Sequence, residues 1–162
     1  SSTFDYWYAS RAVDGYTVQD RDAEVTCSHT ADRQNGYWKL AFRNPVHLYR
    51  ILLYNRDDYQ YRLRGFTLQL LDGVTSVFSY TDRDQRTRDI YTIIPPANPP
   101  PVASLLSVSQ GTDSRFVTLC EVVALGETVC PAGQFGRECE RRCNCVDRSE
   151  RCFVHSGGCP SG

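Results

Sequence analysis

Apolar and polar side chains alternate from Tyr37 to Phe42, with Trp38, Leu40 and Phe42 on one side and Lys39 and Ala41 on the other. This is the two-residue period of a half-buried strand. Phe66, Leu68 and Leu70 repeat the pattern, with Thr67 and Gln69 turned outward. Tyr49–Tyr54, Val74–Tyr80, Ile90–Ile94, Val102–Val108 and Phe116–Val123 are further short runs rich in β-branched and aromatic residues, and each predicts a strand. Turn punctuation separates them: Asp72-Gly73, Gln110-Gly111 and the proline-rich stretch Pro95–Pro101. No stretch longer than about ten residues carries a helical period. The front of the chain is therefore expected to be all-β, an antiparallel β-sandwich with long loops at its ends.

Beyond residue 129 the pattern changes. Of the 8 cysteines, only Cys27 and Cys120 lie in the front part, while Cys130, Cys139, Cys143, Cys145, Cys152 and Cys159 crowd together behind it. The tail has almost no apolar side chains to bury, and a segment this short folds on so small a core only with staples. An even cysteine count with a dense cluster reads as a disulfide framework in an oxidising compartment. Zinc is the rival, with Cys143, Cys145, Cys152, His155 and Cys159 as ligands. The spacing lacks two clean CxxC knuckles, which favours disulfides. In the front, a Cys27–Cys120 bridge would join an early loop to the last strand, and closing a loop of that length is worth roughly 4–5 kcal/mol in the chain-entropy model.

Charge narrows the function classes. With 18 basic and 19 acidic residues and a net charge of -1 among 162 residues, no basic field exists to hold nucleic acid or anionic lipid. The longest apolar runs, such as Ile51-Leu52-Leu53-Tyr54, fall far short of a membrane span. Catalytic signatures are missing too: His29 has no nucleophile motif beside it, and no paired-carboxylate or metal-hydrolase pattern stands out. A non-enzymatic extracellular binding module is expected.

Two resemblances sharpen this. Residues 130–145 follow C-P-x-G-x-F-G-x-x-C-x-x-x-C-x-C throughout, and so resemble the EGF-like repeats of the multiple-EGF type. The resemblance implies an EGF-like module over 130–162 with the pairing Cys130–Cys143, Cys139–Cys145 and Cys152–Cys159. The front resembles the F-type lectins, fucose-binding relatives of the discoidin jelly-roll sandwich, over residues 1–126. The stretches that carry it are Ala9-Ser10-Arg11-Ala12-Val13-Asp14-Gly15, Cys27-Ser28-His29-Thr30, Tyr37-Trp38-Lys39-Leu40, Asn55-Arg56-Asp57-Asp58, Arg62-Leu63-Arg64-Gly65-Phe66 and Cys120-Glu121. Such a sandwich carries one strand ahead of the position of Ser1, and such a repeat carries two more cysteines downstream. The chain is accordingly expected to be a piece of a longer secreted or cell-surface protein.

The lectin resemblance implies a site. Its signature is a histidine, 26 residues, R-x-D, four residues, then a basic residue; His29 and Arg56-Asp57-Asp58 keep that spacing. The next basic position holds Leu63, flanked by Arg62 and Arg64, and Arg62 aligns as the counterpart with the loop one residue short. By this resemblance His29, Arg56 and Arg62 converge on the hydroxyls and ring oxygen of L-fucose, with Asp58 orienting Arg56. Guanidinium suits that task because it holds several donors in one rigid plane. Tyr6, Trp7 or Tyr8 would supply an apolar notch for the sugar methyl. Where the family commonly has two adjacent cysteines, this chain has Tyr59-Gln60-Tyr61, whose rings either replace that sugar-packing edge or mark a lost site.

The resemblance also implies a structural Ca2+. Its ligands would be the carbonyl of Arg11, the carboxylate of Asp14, the carbonyl of Tyr16, Thr26, the carbonyl of Cys120 and the carboxylate of Glu121, an oxygen set suited to a hard cation. Expected partners are fucosylated glycans, bound weakly per site. The competing reading is an adhesion or receptor module that binds a protein through its loops, its sugar site decayed.

Overall fold

The computed structural model describes residues 8–19, 26–31, 36–84, 86–96, 98, 100–111 and 115–162. Its strands are β1 (Ser28–His29), β2 (Tyr37–Tyr54), β3 (Thr67–Asp72), β4 (Thr75–Thr81), β5 (Ile90–Ile93), β6 (Val102–Ser109), β7 (Thr118–Leu119), β8 (Glu121–Thr128), β9 (Gln134–Phe135) and β10 (Arg141–Arg142). Two short 3-10 turns, Ala9–Val13 and Gln60–Leu63, are the helical elements among the described residues. The chain is an antiparallel β-sandwich with a disulfide-rich tail.

The two predicted runs Tyr37–Phe42 and Tyr49–Tyr54 form one strand of 18 residues. The register shifts between Ala41 and Val46, which places Pro45 at an irregularity, where a residue without an N–H is tolerated. This long strand links the two layers. Its first half pairs with β6, which leads on to β3 and β4. Its second half runs between β5 and β8. The predicted run Phe116–Val123 is interrupted at Cys120: β7 ends at Leu119, and β8 carries on to Thr128.

Alternation predicts the core well. Along β3, Leu68 and Leu70 are buried while Thr67, Gln69 and Leu71 are half-buried. They meet Leu106 and Val108 of β6, Trp38, Ile51 and Leu53 of β2, Tyr91 and Ile93 of β5, and Val122 of β8 in one apolar cluster. A fully buried leucine contributes about 2 kcal/mol. Cys27 and Cys120 form a second buried pair at the loop end, and they are bridged as expected across 93 positions.

The tail is built differently. Apart from Cys130 and Cys152, its residues are exposed or half-buried, and β9 and β10 form a hairpin of two pairs. The bridges are Cys130–Cys139, Cys143–Cys152 and Cys145–Cys159. This corrects the expected order Cys130–Cys143, Cys139–Cys145, Cys152–Cys159. A tight turn, with Cys139 N donating to Gly136 O at 3.1 Å, brings Cys139 beside Cys130. Cys143 N donates instead to Gly133 O, and Cys143 and Cys145 both face the last loop. All described cysteines are disulfide-bonded, so none is a free thiolate for zinc. His155 Nε2 lies 3.4 Å from a Glu127 carboxylate oxygen.

The tail docks on the far end of β2 and β8. Val129 N donates to Pro45 O at 2.8 Å, and Thr128 Oγ1 donates to Arg137 O at 2.8 Å. Arg43 pairs with Glu138 at 2.9 Å. No helix is long and apolar enough to cross a membrane among the described residues.

Candidate functional site

Where β2 ends, buried Asn55 ties the following loop together. Its side-chain amide donates to the carbonyls of Gln60 and Arg88, both at 3.1 Å, and its Oδ1 accepts from Arg56 N at 2.9 Å. The Asn55 carbonyl accepts from Gln19 Nε2 at 2.7 Å. The chain then enters the second 3-10 turn because Leu63 buries itself in the core. Arg62 N donates to Tyr59 O at 3.0 Å and Arg64 N to Tyr61 O at 3.2 Å. Gly111 allows the turn to pack against the end of β6, since a Cβ there would sit 2.3 Å from Arg64 O.

His29 comes from the other side. On β1 it faces Thr118 of β7, and neighbouring Thr30 donates its N–H to Val117 O while its Oγ1 accepts from Val117 N. The imidazole is buried, with Nδ1 at 2.5 Å from Thr30 O. That contact makes Nδ1 the protonated nitrogen and Nε2 the acceptor. Burial, then the nearby Arg62 and Arg56 charges, hold the His29 pKa below its ordinary value of 6.5, against an opposing pull from the Thr30 carbonyl. The ring is therefore neutral at physiological pH.

The four predicted residues form two pairs. Arg62 Nη1 donates to His29 Nε2 at 3.0 Å. Arg56, itself buried, makes the expected pair with Asp58, and it is two-pronged: Nε to Oδ1 at 2.7 Å and Nη2 to Oδ2 at 2.9 Å. Such a fork fixes the guanidinium plane. The Tyr59 ring lies beside both arginines, 4.5 Å from Arg62 Cζ and 5.5 Å from Arg56 Cζ. Tyr8 is exposed at the start of the first 3-10 turn, and Tyr6 and Trp7 lie outside the described residues.

The six residues expected around Ca2+ fall on three stretches near the Cys27–Cys120 bridge. Arg11 sits in the first 3-10 turn, followed by Asp14 and Tyr16; Thr26 precedes Cys27; Cys120 and Glu121 join β7 to β8. Asp14 and Glu121 come together: Gly15 N donates to Glu121 Oε2 at 3.0 Å, and Tyr16 N to Asp14 Oδ1 at 3.0 Å. Burial raises the Glu121 pKa and the Asp14 charge adds to it, against the Gly15 hydrogen bond. Two carboxylates in one corner, one of them buried, are a donor set that a divalent cation fits.

Sequence reasoning missed one member of the site. Phe116, read there only as the start of a strand, meets the His29 ring at a tilt, centroids 4.8 Å apart, and lies 5.0 Å from Arg62 Cζ. Its position follows from β1–β7 pairing, a long-range contact with no local signal.

Known proteins share this architecture. The lectin domain of lectinolysin, solved with Lewis B antigen, superimposes with a TM-score of 0.70 at 25% identity, covering 77% of this chain and 88% of that one. A Streptococcus pneumoniae fucose binding module gives a TM-score of 0.67 at 21% identity over 77% of this chain and 89% of its own. The serum fucolectin of striped bass, Morone saxatilis, gives 0.65 at 18% identity over 80% of this chain and 44% of its own. At those lower identities the last two speak to the fold. No curated protein sequence matches the chain. The model of the F5/F8 type C family, described as a NedA-like, galactose-binding domain, matches residues 11–98.

Proposed function

From the premise that this chain belongs to the F5/F8 type C family of NedA-like, galactose-binding domains, we propose that it is a non-enzymatic lectin module that binds terminal L-fucose on extracellular glycans through His29, Arg56 and Arg62. The observation that carries the reading is the pair of contacts at the loop end: Arg62 on neutral His29, and Arg56 forked on Asp58. A sugar hydroxyl that displaces Arg62 Nη1 from His29 Nε2 can donate to that nitrogen while accepting from the released guanidinium. Arg56 and Arg62 supply the remaining donors for a second hydroxyl and the ring oxygen. Fixed donors read the stereochemistry of a neutral sugar, because a misplaced hydroxyl leaves a polar group unpaired.

Fucose-bearing ligands of neighbouring folds support the choice of sugar: lectinolysin's domain was solved with Lewis B antigen, and the pneumococcal module is a fucose binding module. Ca2+ would be held by the carboxylates of Asp14 and Glu121, with Arg11, Tyr16, Thr26 and Cys120 completing an oxygen shell. Its contribution is to neutralise that corner and pin the loops beside the Cys27–Cys120 bridge. A single monosaccharide buries little surface, so affinity per site is low and useful binding comes from repetition in the parent protein. The disulfide-rich tail would serve as an EGF-like spacer, and its bridges support an extracellular setting.

The test is a titration of L-fucose observed by saturation-transfer NMR, with Ca2+ and then with chelator. Transfer that disappears in Arg56→Ala, and weakens on chelation, supports the site and its cation. No transfer to a folded, Ca2+-loaded protein at tens of millimolar sugar would retire the lectin reading in favour of a protein-binding module.

A further inference from the structure

Tyr59 occupies left-handed backbone, with φ at 49°. Left-handed geometry is uncommon for a residue carrying a ring, and it persists only where the surroundings impose it. Among the described residues no buried apolar contact explains it, since the Tyr59 side chain is half exposed. Its neighbours do. Tyr59 caps the 3-10 turn Gln60–Leu63, and its ring lies against Arg62, 4.5 Å from ring centroid to Cζ. On its other flank Arg62 meets Phe116 at 5.0 Å.

Arg62 needs such support. Among the described residues its side chain has no carboxylate partner, its Nε is buried without a hydrogen bond, and the guanidinium's one hydrogen bond is Nη1 on His29. Arg56 is locked by Asp58; Arg62 has no equivalent. A guanidinium flanked by two ring faces keeps its plane through cation–π attraction, without a competing anion to consume its donors.

We propose that Tyr59 is a positioning and specificity residue of the sugar site. Its strained backbone holds its ring against Arg62, clamping that guanidinium towards Phe116 so that the free donors face the ligand. The exposed remainder of the ring forms a wall for the C–H side of the bound sugar. This rests on the lectin reading and extends it to a part that the sequence left open, the Tyr59-Gln60-Tyr61 loop. A loop residue of purely structural value would lose stability and binding together. A residue strained for function separates them.

The experiment compares wild type, Tyr59→Gly and Tyr59→Phe in the Ca2+-loaded protein. L-fucose binding is followed by saturation-transfer NMR, thermal midpoint by circular dichroism, and the Arg62 Nε–H resonance by 15N NMR. Glycine relieves the backbone strain, so its Tm is expected within about 2 °C of wild type. Its affinity is expected to fall about tenfold, with the Arg62 Nε–H signal lost to exchange. Phenylalanine, which keeps the ring, is expected to retain both affinity and signal. Wild-type protein that does not bind fucose overturns the lectin reading and this inference with it. If wild type binds and Tyr59→Gly binds equally well with an unchanged Arg62 signal, the inference alone fails. A Tyr59→Phe loss as large as that of glycine overturns it as well.

Discussion

The sandwich and the tail solve the same problem with different materials. In the sandwich, strands alternate and their inward faces close on one apolar cluster from Trp38 to Val122; a single bridge, Cys27–Cys120, reinforces it. In the tail, three bridges hold two residue pairs of hairpin and little else. A core tolerates the loss of one contact because many others remain. A stapled segment has no second line of support, so removing a staple removes the structure.

The sharpest way to break the comparison is to open one staple in the tail. Replacing Cys145 and Cys159 together by serine is expected to abolish amide dispersion across residues 130–162, while the sandwich resonances keep their positions. Parallel peptide mapping without reductant should recover Cys130–Cys139, Cys143–Cys152 and Cys145–Cys159 from wild type; recovery of Cys130–Cys143 would overturn the pairing described above. A core change acts next. Leu68→Ala empties a fully buried site and is expected to cost about 2–5 kcal/mol in urea unfolding of the sandwich, leaving the tail bridges intact.

Smaller still is the pH response of the sandwich. Folded His29 takes up a proton less readily than in the unfolded chain, so the unfolded state binds more protons between the lowered value and about 6.5. Stability is therefore expected to decline as pH falls through that window and to level off below it, with His29→Asn flattening the slope. A wild-type curve that rises on acidification there would contradict the neutral-ring assignment. At the bottom of the scale lies the junction. Arg43 and Glu138 are both largely exposed, and Glu138→Gln should change stability by no more than about 0.5 kcal/mol, with chemical-shift changes confined to the two partners and their neighbours.

The same contrast decides what could be read from the sequence. Trp38, Leu40 and Phe42, or Leu68 and Leu70, announce their strands because a sheet face is a local, periodic property. Pro45 obscured the continuity of β2, since a bulge that carries a strand past proline is set by its partners. The spacing of His29, Arg56 and Asp58 was legible as a family pattern, and the structure places Arg62, rather than Leu63, on His29. Phe116 was not legible, because it reaches the site only through pairing across the whole domain. Nor was the tail connectivity: six cysteines allow fifteen pairings, and with no core to choose among them the outcome turns on tight backbone turns such as that at Gly136.

The β1–β7 pairing has a consequence in time. Thr30 waits 87 positions for Val117, and Ser28 waits 91 for Leu119. During synthesis the arginine-bearing turn has emerged and can fold on its own strand ends well before the partners of His29 leave the ribosome, and such distant closures are the slow steps of folding. Competence to hold the proposed ligand there would arrive last, after the early and late parts of the chain have met. Retention on an immobilised ligand would then act as a maturation assay, passing finished molecules and rejecting those halted one closure short.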